Sequence, residues 1–165
     1  MTRGILGLGS NLGDRWSTLD HAIATLRVVV GDLVLSSVYE SAPVGGPGGQ
    51  GPYLNCVVVL DWSGSPGELL ALCHRLEQDA NRVRQERWGA RTLDVDVLMI
   101  DGYASDDPEL IVPHPRMFDR AFVLMPLEEV ASDVVDPGWR ARLGASETDE
   151  SAIRRVGVLL SPVKE

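Results

Sequence analysis

Residues 82–100 read RVRQERWGARTLDVDVLMI, and their second half alternates. Leu93, Val95 and Val97 fall on one side and Asp94 and Asp96 on the other, the period of a half-buried β-strand. Aspartate disfavours strands, so a pair of them asks for a reason. Residues i and i+2 of a strand face the same way with α-carbons roughly 6–7 Å apart, so the two carboxylates can converge on one point. Like charges that close repel unless a cation lies between them, and Mg²⁺ typically takes one or two carboxylates together with substrate phosphates. The first half supplies Arg82, Arg84, Arg87 and Arg91 within ten residues, and guanidinium is the fork that matches phosphate oxygens. Together the halves point to phosphoryl or nucleotidyl chemistry. The plainer alternative is a strand with one solvated face behind an arginine-rich surface loop.

Upstream of this stretch, Ser65-Pro66-Gly67-Glu68 is a helix start: Ser65 as N-cap, Pro66 at the first helical position, Glu68 closing a capping box. Leu69, Leu72, Leu76, Ala80 and Val83 continue the apolar stripe. Before it, YLNCVVVLDW over residues 53–62 is apolar on both faces, as in a central strand covered on each side. Tyr53 and Asn55 stand where a pocket could begin. Tyrosine offers a stacking face and asparagine an acceptor with two donors, while two strand-end residues satisfying local backbone is an equal reading. Residues 33–40 form another β-rich run. Between these strands, PVGGPGGQGP (residues 43–52) holds five glycines and three prolines, more than a hairpin needs. Such loops are linkers or active-site lids, and glycine's close approach to ligands favours the lid.

At the start, GILGL (residues 4–8) reads as a short strand running into GSNLGD, with Gly7, Gly9 and Gly13 as strand-to-helix punctuation rather than a phosphate loop, and Asn11 or Asp14 as N-cap. Trp16, Leu19, Ile23, Leu26 and Val30 then step at helical spacing up to Gly31. The order β-α-β-β-α-β predicts an α+β fold, ferredoxin-like: a four-stranded antiparallel sheet with two helices on one face, followed by C-terminal helices. Past Asp101-Gly102 come a polar loop, an extended segment around His114 restrained by Pro113 and Pro115, a helix over 120–131 containing Pro126, and a terminal helix through ESAIRRVGVLL. A lone histidine is more often structural than catalytic.

The 165 residues are most simply one domain over 1–165. A net charge of −9 with 5% aromatic residues argues against nucleic acid, whose backbone attracts basic, aromatic-bearing surfaces. In so acidic a chain the arginine cluster is a local concentration of positive charge. Cys56 and Cys73 are too far apart for a CxxC or metal knuckle and read as buried thiols. No stretch reaches the roughly 18 apolar residues of a membrane span and no signal-peptide pattern opens the chain, so the expected location is the cytoplasm.

RWGARTLDVDVL closely resembles the signature of the 6-hydroxymethyl-7,8-dihydropterin pyrophosphokinases of folate biosynthesis. The likeness extends to GLGSNLGDR, to Tyr53-Leu54-Asn55, to Arg82-Val83-Arg84 and to VPHP…RAFVLMPL, spanning about residues 4 to 131. The resemblance implies transfer of pyrophosphate from ATP to the pterin hydroxymethyl oxygen, with AMP released, by a monomer that uses two Mg²⁺ ions. It implies that Asp94 and Asp96 hold the metal, and that the pterin stacks between Tyr53 and Phe122 and is read by Asn55 and by backbone at Ala42, Pro43 and Val44. Arg82 and Arg91 would stabilise the transferring group. Arg84, Arg87 and Trp88 would belong to a closing loop, His74 and Glu77 to the nucleotide wall, and His114 and Arg120 to phosphate contacts. Gln85, Ala90 and Pro115 depart from familiar members at peripheral positions. A non-catalytic ligand-binding module on the same fold is the second reading, but it would not need the aspartates and four nearby arginines.

Overall fold

The computed structural model describes residues 1–42, 51–82, 92–144 and 153–159. Strand β1 (Thr2–Ser10) leads into helix α1 (Arg15–Val30), then β2 (Leu33–Leu35), β3 (Val38–Ser41), β4 (Tyr53–Trp62), helix α2 (Pro66–Arg82) and β5 (Asp94–Ile100). The antiparallel sheet runs β5-β1-β4-β3, with β2 also on β4. Each helix therefore carries the chain past one intervening strand, the split crossover expected from the order of elements.

The helix signals act as their chemistry predicts. Asp14, not Asn11, caps α1: its carboxylate accepts from the Ser17 N–H at 3.0 Å. Gly31 ends that helix at φ 78°, a left-handed angle that suits glycine. At α2 the capping box closes both ways, with Ser65 N–H donating to Glu68 Oε2 at 2.7 Å and Glu68 N–H to Ser65 Oγ at 3.1 Å. Leu19, Ile23 and Leu26 of α1 and Leu69, Leu72 and Leu76 of α2 pack with Leu6, Leu8, Leu54, Val58, Val95 and Val97 in one core. Each such side chain contributes roughly 1.5–3 kcal/mol on burial. Both cysteines lie in this layer, and burial pushes each thiol up to about 12.

The opposite face of the sheet carries a second core. Ile5, Val57 and Leu98 meet Met117, Leu124, Leu127 and Trp139, brought there by a 3-10 turn (Met117–Asp119) and helices α3 (Ala121–Val130) and α4 (Trp139–Leu143). This bears out the sequence reading of β4 as covered on both sides. Pro126 lies inside α3. Glu129 anchors that helix to the sheet: it accepts from the Ser37 N–H and hydroxyl, each at 3.1 Å, and from the Tyr39 hydroxyl.

Four expectations need correction. Gly7 and Gly9 are not turn punctuation but interior residues of β1; of the three glycines only Gly13, at φ 67°, stands in the turn. The run 33–40 is two strands, because at Ser36-Ser37 the chain carries one residue more than β4 opposite. Ser36 spans the break, its hydroxyl accepting from the Val57 N–H at 2.9 Å. The polar loop after Gly102 contains a small hairpin, β6 (Ser105–Asp107) and β7 (Leu110–Val112). Finally, ESAIRRVGVLL does not form a terminal helix: Ile153–Gly157 is strand β8, antiparallel to β3. An unpaired β3 edge offers free N–H and C=O groups, and a register shift between Val38 and Tyr39 leaves Val156 as an extra residue, which hides the twofold period.

Candidate active site

Register places the chemistry-bearing residues. Across the sheet Asn55 opposes Gly9, and Gly9 opposes Asp94; one step along, Val57, Gly7 and Asp96 form the parallel row. Tyr39 opposes Asn55 from the other side, and Ser41 opposes Tyr53. All share the face that α3 covers further along, since Val57 lies in the α3 core while Val95 and Val97, alternating with the aspartates, lie in the other. The two aspartates therefore share a face, as the i, i+2 argument required.

Between Asn55 and the aspartates β1 contributes only glycine to that face. A Cβ on Gly9 would stand 3.0 Å from Asn55 Oδ1 and 3.9 Å from Tyr53 Cδ1, and one on Gly7 would stand 3.3 Å from Leu98 Cδ1. Glycine inside a strand often marks close approach by another group, and here the groups that approach are the Asn55 amide over Gly9 and the Leu98 side chain over Gly7. Asn55, 7% exposed, donates from Nδ2 to Ser41 Oγ at 2.9 Å.

A bulge lies beside this row. β1 and β5 shift register between Ile5 and Leu6, leaving Leu98 without an opposite number. Bulges re-aim side chains and groups beside active sites. The Leu98 side chain joins the α3 core, and its carbonyl accepts from the His114 N–H at 2.8 Å. His114 Nδ1 in turn accepts from the Arg116 N–H at 3.2 Å. In neutral imidazole one nitrogen accepts and the other donates, so the proton resides on Nε2. Burial lowers the His114 pKa, opposed by the charge of Asp96 and supported by those of Arg120 and Arg116, which favours the neutral ring. Arg120, immediately before α3, lies over the Phe122 ring at 5.5 Å from its centroid.

The nucleotide-side residues sit on α2, with His74 exposed and Glu77 half-buried. Glu77 and Asp96 both lie within electrostatic reach of Cys73, each raising its pKa after the larger effect of burial. Ala42 follows β3. Pro43, Val44, Arg84, Arg87, Trp88 and Arg91 lie outside the described residues, as does the side chain of Arg82. The structure thus brings Tyr53, Asn55, Asp94 and Asp96 to one face, with His114 and Arg120 electrostatically coupled to Asp96 or to each other. Sequence reasoning missed Gly7, Gly9, Ser41 and the Leu98 bulge. The signal for the glycines was present as an i, i+2 pair beside a strand, the spacing shared by Asp94 and Asp96.

A metal fits this donor set. Two carboxylates on one strand face suit a hard oxygen-seeking divalent cation.

Comparison with known proteins agrees. Residues 5–132 match the family model for 7,8-dihydro-6-hydroxymethylpterin-pyrophosphokinase. A 2-amino-4-hydroxy-6-hydroxymethyldihydropteridine pyrophosphokinase of Methylorubrum extorquens is 40% identical over 158 residues, covering 94% of this chain and 99% of its own. One from Bacillus subtilis is 40% identical over 151 residues, covering 90% and 87%. Among solved structures, an HPPK-DHPS in complex with substrates superposes with a TM-score of 0.68 at 12% identity, over 94% of this chain and 48% of that one. A Plasmodium falciparum HPPK-DHPS triple mutant with pteroate gives 0.66 at 13% identity, over 93% and 46%. The chain thus spans about half the length of those structures, which speak for the fold alone. Family match, long alignments at 40% identity and a shared fold converge: the chain belongs to the 7,8-dihydro-6-hydroxymethylpterin-pyrophosphokinase family.

Proposed function

We propose that this chain transfers pyrophosphate from ATP to the hydroxymethyl group of 6-hydroxymethyl-7,8-dihydropterin in folate biosynthesis, giving AMP and the pterin diphosphate. The observation that carries the reading is the shared face: Asn55 and Tyr53 on one side of the β1 glycines, Asp94 and Asp96 on the other. A heterocycle held at the first pair presents its substituent towards the second.

In the reaction the hydroxymethyl oxygen attacks the β-phosphorus of ATP, the bond from that phosphorus to the α,β-bridging oxygen breaks, AMP departs, and the hydroxyl proton passes to solvent. Such transfers depend on positioning and charge stabilisation more than on covalent help from the protein. Asp94 and Asp96 would hold two Mg²⁺ ions, which when bound neutralise phosphate charge and favour loss of the alcohol proton. Asn55 and the backbone at Ala42, Pro43 and Val44 orient the pterin, with Tyr53 and Phe122 stacking on it. His114 donates from Nε2–H to a phosphate oxygen, and Arg120 adds positive charge beside it. Arg82 and Arg91 stabilise the transferring group. Arg84, Arg87 and Trp88 close over the site and exclude water, and His74 and Glu77 wall the nucleotide.

The reading takes residues 1–165 as one domain, a cytoplasmic monomer without nucleic-acid or membrane partners. Net charge of −9 supports the first exclusion, and no helix among the described residues is long and apolar enough to cross a membrane. The test is a chromatographic assay with ATP, MgCl₂ and 6-hydroxymethyl-7,8-dihydropterin. AMP should form in step with the pterin diphosphate and vanish with EDTA. ADP in place of AMP would overturn the mechanism, and pterin binding without turnover would establish a binding module instead.

A further inference from the structure

We infer that Ser41 is a specificity-determining positioning residue: its hydroxyl occupies one edge of the Asn55 carboxamide and so presents the other edge, the carbonyl oxygen, to the ligand. This rests on the proposed pterin site and adds a residue to it. Two observations carry it. The hydroxyl accepts from Asn55 Nδ2 at 2.9 Å while Asn55 Oδ1 lies over Gly9 of β1, 3.0 Å from where a Gly9 Cβ would stand. Both residues are nearly closed to water, Ser41 at 5% and Asn55 at 7% exposure, so water does not readily replace the lost partner.

Ser41 can serve as a fixed reference because its own backbone is held on both sides. It pairs with Tyr53 of β4 and with Ile153 of β8. β8 therefore has a role beyond closing an edge: it stiffens the strand end that sets the Asn55 amide.

The chemistry that follows is selective. A carbonyl oxygen presented from a buried amide demands an N–H donor on the ligand edge, as in a lactam or an aminopyrimidine. A ligand with an acceptor or a methyl there leaves Asn55 Oδ1 unpaired, and sites built around a hydrogen bond reject such analogues far more strongly than apolar pockets reject a change of size.

The experiment is calorimetric titration of 6-hydroxymethyl-7,8-dihydropterin into the full chain with MgCl₂ and a non-hydrolysable ATP analogue. The panel is wild type, Ser41→Ala, Ser41→Thr, Asn55→Ala and the double variant Ser41→Ala/Asn55→Ala. Ser41→Ala should weaken pterin binding about tenfold, one hydrogen bond's worth. Nucleotide affinity should stay unchanged, and Ser41→Thr, which keeps the hydroxyl, should bind like wild type. In the Asn55→Ala background the serine should have no further effect, because it acts through that amide. If Ser41→Ala fails to fold, Ser41→Cys, whose thiol is a weak acceptor, reports the same loss. Unchanged affinity in Ser41→Ala, or an equal loss with and without Asn55, overturns the inference and leaves the pterin site standing. A wild-type chain that does not bind the pterin overturns both.

Discussion

Replacing Gly9 by alanine separates the demands of the site from those of the fold. In the extended backbone of β1, an alanine in place of glycine restricts the unfolded chain and stabilises the protein by about 0.4–1 kcal/mol. Against this, the new methyl would lie 3.0 Å from Asn55 Oδ1, with Leu54 O at 3.8 Å and Tyr53 Cδ1 at 3.9 Å in ordinary contact. Only the Asn55 amide must yield, by a few tenths of an ångström, and it is tethered to Ser41. Straining that tether costs at most about one hydrogen bond, roughly 1 kcal/mol. The two effects offset, so the melting temperature of Gly9→Ala should stay within a few degrees of wild type. Binding suffers from both causes at once. The Asn55 oxygen moves from its line of approach and the methyl stands beside it on the face the pterin would meet, so pterin affinity should fall at least tenfold, about 1.4 kcal/mol. A thermal melt paired with steady-state kinetics decides it: the pterin KM should rise while the ATP KM holds. A variant with unchanged pterin KM, or one losing ten degrees of stability, would refute the idea that Gly9 is absent of side chain for the ligand's sake.

Other outcomes follow from the same geometry. Asp94→Asn and Asp96→Asn should each lose about a hundredfold or more in kcat/KM, roughly 3 kcal/mol of transition-state stabilisation, with a native circular dichroism spectrum; near wild-type rates in both would remove them as metal ligands. Tyr39, with its pKa pushed up to about 12 first by burial and then by its hydrogen bond to Glu129, contributes stability that is complete below pH 10, the ordinary tyrosine value. Because the folded pKa is the higher, that stability is lost as pH rises from 10 through 12; urea melts across this window should flatten in Tyr39→Phe. Ser65→Ala removes one half of the capping box and should destabilise by about 1 kcal/mol without changing either KM. A loss of activity there would tie the start of α2 to catalysis.

Much of the fold is legible in local chemistry. The capping box, the stripe of α1 and the double-sided apolar run of β4 each declare themselves through residues within a few positions of one another, and the structure builds them as read. The Asp94/Asp96 pair is legible for the same reason, since strand geometry alone sets two residues i and i+2 on one face. The sequence is silent on bulges. The extra residue at Ser36-Ser37, the unpaired Leu98 and the shift beside Val156 arise from the fit between strands far apart in the chain. Local periodicity carries no record of a partner's register. β8 was misread as helix for that reason: its two consecutive arginines obscure alternation, and only the free edge of β3 gives it a partner.

By itself the sequence determined the β-α-β-β-α-β order of the core, the shared face of Asp94 and Asp96 and the family to which the chain belongs, because these depend on residue type and short spacing. The tertiary structure alone decided that Gly7 and Gly9 stand between Asn55 and the aspartates, that Ser41 holds Asn55, and that Leu98 bulges to seat His114. Those facts are made by side chains and carbonyls meeting across strands, where separation in sequence says nothing about separation in space, and hydrogen-bond register between neighbours fixes what stands beside what.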